Sequence, residues 1–400
     1  MCVANKPNPK EPFLSSPEHT LDRRHRKRWA GLAYRRKRSK WRISPVADQS
    51  IEGCDWRDKL GNVSADRVPQ GVAGRVATLG LPAINSVEDL AALIGITPNQ
   101  LAGFALRGDG QRSHYVGRPI PKKSGGERRL LVPLPRLKAA QQALHRKLIS
   151  LLPLQPCVHG FRLKHDVLTG SSVHVGRQIV IGMDIAEFFP SFTFRRVSGY
   201  FRALGYSRGI AIALASLTIT SCMDVPDYTP EAYSNHSYTE LPQGAPTSPG
   251  IANAICWRMD KRLSALARKF GGDYTRYADD LTFSGFQDMA DNTGRLLRIV
   301  RQIIETEGFV VNENKTRIMR RGSQQRVTGV VVNEKTNLPR REFDKIKAII
   351  HNCIKHGPAT QNHAQHENFK EHLRGRVAHA QHIGPERGQK LKAMFDSIVW

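Results

Sequence analysis

Negative charge, paired cysteines and long apolar runs are scarce in this sequence. Its 400 residues hold 35 Asp and Glu against 61 Lys and Arg, for a formal charge of +26. A deficit of that size points to a polyanionic partner, nucleic acid before a membrane surface. The basic clusters lack the strongly apolar opposite face that membrane binding needs. The six cysteines (Cys2, Cys54, Cys157, Cys222, Cys256 and Cys353) include no Cys-x-x-Cys pair and no zinc-type spacing, which argues against a structural zinc site and for a reducing cytosol. The longest obvious uncharged stretch, Gly209 to Met223, has 15 residues with Ser and Thr among them, short of the ~20 apolar residues of a spanning helix. Met1 to Pro7 has no signal-peptide core, and no internal repeat is detectable. The expectation is a cytoplasmic protein with no membrane partner, long enough for one large domain or about two to three modest ones.

Positive charge is unevenly placed. Between Leu21 and Arg42 lie eleven Lys or Arg and one acid, interleaved with Trp29, Tyr34 and Trp41. Cations among aromatics offer phosphate pairing and base stacking together, although a solvated tail has the same composition. Asp48 to Gly80 reads as a linker. From Ser86 the pattern is globular: Ser86-Val87-Glu88-Asp89 is an N-cap signal for a helix through Leu93. Leu137, Ala140, Leu144, Leu148 and Leu151 form a helical stripe over Pro135 to Leu152. Gln178 to Met183 reads as a buried strand ending at Asp184, and Pro249 suits the first turn of a helix running to about Phe270. An amphipathic helix over Leu296 to Gly308 follows, then strands at Val310-Val311 and Arg326 to Val332, and helices over Arg341 to Lys355, Glu367 to His382 and Glu386 to Ile398. Strands interrupted by helices in this irregular order predict an antiparallel sheet backed by helices, an α+β fold.

Tyr277-Ala278-Asp279-Asp280, between β-type runs Asp273 to Arg276 and Leu281 to Ser284, is the most informative feature. Adjacent carboxylates at a hairpin tip cannot enter an apolar core, and two like charges about 4 Å apart repel by roughly 4 kcal/mol at an effective dielectric of 20. A solvated Asp-Asp turn is one way to hold them; a hard divalent cation such as Mg²⁺, bound by carboxylates and substrate phosphates, is the other. Asp184, at the end of a second strand, would supply a third carboxylate to a two-metal site. The seven histidines from His351 onward, including His363-x-x-His366 and His379-x-x-His382, lack the acid or cysteine that would complete a metal site, and read as helix faces exposed to RNA.

Three segments, Met183-Asp184-Ile185-Ala186-Glu187-Phe188-Phe189-Pro190-Ser191, Leu241-Pro242-Gln243-Gly244-Ala245-Pro246-Thr247-Ser248-Pro249 and Tyr274-Thr275-Arg276-Tyr277-Ala278-Asp279-Asp280, resemble successive blocks of the reverse transcriptase palm in order and spacing. Upstream, Ile120-Pro121-Lys122-Lys123-Ser124-Gly125-Gly126-Glu127-Arg128 looks like the fingers block; downstream the likeness continues through Asn312-Glu313-Asn314-Lys315 and Val327-Thr328-Gly329. Within that family the chain is most similar to bacterial retron enzymes. One departure stands out: where those usually show Asn-Ala-x-x-His, this chain has Gly170-Ser171-Ser172-Val173-His174, and only the His fits.

The resemblance implies a right-hand polymerase with a basic extension (1–85), fingers (86–183), a palm (184–332, with a fingers insertion around 192–240) and a short helical thumb (333–400). It implies two Mg²⁺ ions around Asp184, Ile185, Asp279 and Asp280, with Lys315 either donating a proton to the departing pyrophosphate or screening it. A dNTP would be held by Lys122, Arg128, Phe189 as a steric gate, Gln243 and Gly244. Arg340, Arg341, Lys345, Lys347, Arg374 and Arg376 would grip RNA. The implied activity is retron-type copying of a structured noncoding RNA into linked DNA, primed from a guanosine 2′-hydroxyl, in antiphage defence beside an effector or toxin protein in a bacterial cytoplasm. No RNase H-like segment is visible after Lys315, so a host RNase H is expected to remove the template. The competing readings are a reverse transcriptase of another lineage, group II intron-like or protein-primed, and a non-catalytic RNA-binding scaffold; a scaffold has no physical need for a repulsive acid cluster.

Overall fold

The run Ile179-Val180-Ile181 is buried on both faces, and that makes it the axis of the molecule's central sheet. The computed structural model describes residues 74–105, 114–121, 127–221 and 239–400; the basic arm, most of the linker and Lys122 lie outside the described residues. The sheet runs Gly272–Tyr277, Asp280–Gly285, Ile179–Ala186, Val310–Val311, and Arg317–Arg320 also pairs with Ile179–Ala186, every pairing antiparallel. Side chains alternate across a strand, so Ile179, Ile181, Met183 and Ile185 enter the larger core while Val180 enters a smaller one. Asp184 therefore shares the face of Val180 and Gly182.

The larger core is closed by helices. Val87–Ile94 begins with the expected capping box, Ser86 accepting from the Asp89 N–H and Asp89 accepting from the Ser86 N–H, a motif worth about 1 kcal/mol. Arg208–Thr218, from the uncharged stretch, is buried almost throughout. The smaller core gathers Val327, Val330 and Val332 beneath the C-terminal helices Arg340–His356, Phe369–Ile383 and Pro385–Asp396. Among the described residues no helix is long and apolar enough to cross a membrane.

Several elements differ from expectation. The strand does not stop at Asp184 but runs to Ala186, because Ile185 and Ala186 pair with Val311 and Val310. The helix from Pro135 ends at Lys147, and Leu151 is exposed in the short 3-10 turn that follows. The helix over Pro249 to Phe270 is two, Ser248–Ile255 and Trp257–Lys269, separated at Cys256. Arg326 to Val332 folds back on itself as Arg326–Val327 and Val330–Val331, since Thr328 and Gly329 take φ of 45° and 91°. The domain edges drawn at 183/184 and 332/333 each cut packed structure, the first through the central strand and the second through the smaller core.

Candidate active site

Tyr277 pairs with Asp280 in the hairpin, which leaves Ala278 and Asp279 as its two-residue tip. Ala278 takes φ of 56°, a left-handed conformation that costs a non-glycine residue roughly 1–2 kcal/mol. Three contacts impose it. The Arg276 Nη1 donates to the Ala278 carbonyl at 3.1 Å, and the Ile185 N–H donates to the Asp279 carbonyl at 2.9 Å. Beneath the tip runs Gly160, where a Cβ would meet the Ala278 nitrogen at 2.8 Å and the Tyr277 Cα at 3.1 Å. The tip is thus tied to the central strand, where Asp184 stands directly opposite Asp280 in register.

Like charges placed opposite one another destabilise an antiparallel pair. Burial, then Asp279, then Asp184, push the Asp280 carboxyl up to about 6, eased by the Thr328 hydroxyl at 3.4 Å and by Lys315. The Lys315 ammonium donates to both Asp184 oxygens at 3.0 Å, so it neutralises that acid; the Asp184 carbonyl in turn accepts from the Asn312 N–H at 2.7 Å. Lys315 belongs to the short turn Glu313–Lys315, which a two-pronged Arg301–Glu313 pair fastens to the helix Thr293–Thr306. All three acids line a cavity of about 360 Å³ together with Tyr277, Lys315, Arg317, Arg326 and Thr328. An oxygen-only, mutually repelling donor set suits a hard divalent cation. Among the described residues no three of His, Cys, Asp and Glu are spaced to enclose an ion unaided, so phosphate oxygens would complete the shell, as they do for most bound Mg²⁺. The Ile185 side chain is buried in the larger core, so only its backbone reaches the site, where its N–H donates to the Asp279 carbonyl.

Behind the tip lies a second set of charges that the sequence reading missed. Arg276 and Asp260 are both fully buried, joined by Nε–Oδ1 and Nη2–Oδ2 bonds of 2.8 and 2.7 Å. Tyr274 donates its hydroxyl to Asp260 at 3.0 Å, and Asn253 accepts from Arg276 while donating to the Gly160 carbonyl at 2.7 Å. A legible signal existed: Asp260 falls on the buried stripe Met259, Leu263, Leu266, Ala267 of its helix, and an acid there needs a buried cation. On the face of the hairpin that carries Asp280, farther from the tip, His174 is fully buried between Ser284 (2.6 Å) and Thr275 (2.7 Å), and burial lowers its pKa to about 3. Gly170, at the departure from the family pattern, accommodates His159: a Cβ there would lie 3.3 Å from the imidazole.

The remaining expected residues divide. Phe189 is half-buried against the larger core while Phe188 is wholly inside it, so only Phe189 keeps a face for a ligand. Gln243 accepts from the Leu131 N–H at 2.7 Å, and Gly244, at φ of 122°, leaves 3.0 Å between a would-be Cβ and the Leu131 carbonyl; that loop rests on the strand Glu127–Pro133. Arg128 pairs with Ile120 in the strands, and its side chain, like Lys122, lies outside the described residues. Arg340, Arg341, Lys345, Lys347 and Arg374 are exposed on the C-terminal helices. Arg376 pairs with Glu342 at 2.6 Å and is three-quarters covered, bracing Phe369–Ile383 against Arg340–His356.

A family model described as Reverse transcriptase (RNA-dependent DNA polymerase) matches residues 120–344. Retron Mx65 reverse transcriptase of Myxococcus xanthus is 39% identical over 321 residues, which are 79% of this chain and 73% of that one. Retron Mx162 reverse transcriptase of the same organism is 36% identical over 81% of this chain and 69% of its own. Retron Ec86 reverse transcriptase of Escherichia coli is 34% identical over 70% and 82%.

Proposed function

This chain belongs to the reverse transcriptase family, in its bacterial retron branch, and from that premise we propose how its residues carry out RNA-directed DNA synthesis. It is an RNA-directed DNA polymerase with an α+β right-hand fold, it binds an RNA template, and its family uses divalent metal ions, typically Mg²⁺. In our reading Asp184 and Asp279 hold two such ions, and Asp280, beside them, fixes the field they enter. Bound there, the ions lower the pKa of the primer hydroxyl and offset charge on the leaving pyrophosphate. Lys315 neutralises Asp184 in their absence and faces the leaving group in their presence. Phe189 excludes a ribose 2′-hydroxyl, the Gln243-Gly244 loop presses on the nascent pair, and Lys122 with Arg128 covers the triphosphate. Arg340, Arg341, Lys345, Lys347 and Arg374 bind RNA. We place fingers, palm and thumb near the ranges 86–183, 184–332 and 333–400, moving both edges back, the first to the start of the strand at Ile179 and the second to Arg326, where packing changes core.

The single observation that supports this reading is the convergence of three carboxylates, from the central strand and from the hairpin paired with it, on one cavity. The finer retron programme is also part of the proposal: self-priming from a guanosine 2′-hydroxyl, linked RNA–DNA product, a host RNase H, an effector partner, antiphage defence and a cytoplasmic site. Nucleic acid co-purifying with the protein tests it. Treated with RNase and then DNase, branched RNA–DNA is the expected result; linear cDNA would assign the chain a different priming mode, and RNA alone would leave only a scaffold.

A further inference from the structure

Cys157-Val158-His159 lies parallel to the hairpin strand, the His159 N–H donating to the Arg276 carbonyl and the Arg276 N–H to the Cys157 carbonyl at 2.9 and 2.8 Å. The loop that follows is therefore built onto the hairpin bearing Asp279. Gly160 packs on the tip, and the Arg162 guanidinium turns back to the carbonyls of Gln155 and Val158. Phe161 and Lys164 take φ of 56° and 61°, a conformation that L residues keep only where their surroundings impose it, most often at functional sites. What this rigid loop displays is apolar: Phe161 is 54% exposed and Leu163 86% exposed. Nothing in folding asks for a strained loop that presents two large apolar side chains to water.

The Phe161 ring lies 5.9 Å from that of Tyr277, which itself lines the cavity. Tyr277 and Phe161 thus form one continuous aromatic edge leading away from the carboxylates, with Lys164 and His165 beside it. An aromatic face flanked by cations suits nucleotides in general, since every base and sugar offers an apolar face and every phosphate a charge. We propose that the loop Gly160 to His165 is a platform for the primer–template duplex next to its reacting end, with Phe161 and Leu163 packing on nucleotides and Lys164 pairing a phosphate. The inference rests on the reading of the hairpin as the polymerising site and adds a binding surface to it.

The test is steady-state primer extension by the full chain on a synthetic RNA template annealed to a DNA primer, varying duplex and dNTP separately. Phe161→Ala is expected to raise the KM for the duplex about tenfold, the loss of one stacking face, without moving the KM for dNTP; Phe161→Trp restores the wild-type value. Leu163→Ser, at a position too exposed to affect folding, moves the duplex KM in the same direction. Lys164→Gln lowers the slope of duplex affinity against salt by about one phosphate contact. A wild-type duplex KM in Phe161→Ala assigns the exposed pair to a protein contact and overturns the proposal. So does a parallel rise in both KM values, which marks a distorted hairpin. A wild-type protein that extends no primer would instead overturn the polymerase reading itself.

Discussion

Asp260 and Asp280 are both withdrawn from bulk water within one hairpin neighbourhood, yet their surroundings are opposite. Asp260 receives two bonds from a guanidinium and one from Tyr274, so its charge is matched and its geometry fixed. Asp280 faces Asp184 across the ladder and Asp279 along the chain, and its carboxyl is pushed up to about 6. One carboxylate is satisfied by the fold; the other is held where the fold opposes it. A protein retains the second arrangement only when something outside the chain completes it. Arg276 connects the two, bonded to Asp260 on one side and to the carbonyl of Ala278, one residue before Asp279, on the other.

The same Asp→Asn change at the two places should separate these roles. Asp279→Asn is expected to reduce primer extension at least about a thousandfold, some 4 kcal/mol of transition-state stabilisation, while RNA affinity persists and the thermal midpoint stays level or rises as repulsion eases. Asp260→Asn leaves Arg276 buried without its counter-charge, and breaking such a pair costs about 3–5 kcal/mol, read as a shifted urea midpoint. That is a large part of a typical stability of about 5–15 kcal/mol. Near-normal extension by Asp279→Asn, or an unshifted midpoint for Asp260→Asn, would erase the contrast. Gly160→Ala probes the ground between them. Its methyl would have to displace the backbone at Ala278, costing about 1–3 kcal/mol of stability, and a shift of the tip near 1 Å should lower kcat by about a hundredfold. Lost stability with unchanged kcat would show that the tip's position is not set from below.

How much of this was legible in the sequence follows the range of the interactions. The Asp-Asp hairpin, the Ser86 capping box and the central strand are local patterns, and each was readable from alternation or spacing. Lys315 reaches Asp184 across 131 positions and Arg177 reaches Asp273 across 96, and composition carries no trace of such pairings. The break at Cys256 and the turn at Thr328 escaped because neither has the Pro or Gly-led signature of a boundary: a Thr at positive φ is rare enough that a continuous strand was the better expectation. Phe161 escaped for the opposite reason. Phenylalanine predicts burial, and only the structure places it outside.

His174 supplies the smallest and most exact form of the comparison, since it is buried on the same hairpin with no charge at all. Its pKa falls from 6.5 to about 3, through burial first and then through Arg177 and His159. A histidine depressed in this way binds a proton in the unfolded chain but not in the folded one, so its contribution is full above 6.5 and is lost as pH falls toward 3. Between pH 7 and pH 5 the loss should be about 2 kcal/mol. His174→Gln removes the titration yet keeps an amide that can bond Ser284 or Thr275. His159, depressed to about 4 by burial, remains in both proteins and cancels. Urea unfolding at the two pH values should therefore bring wild type and variant closer by about 2 kcal/mol at the lower pH. Parallel losses would mean that His174 is protonated in the folded protein, and the base of the hairpin would then carry an unmatched charge, as its tip does.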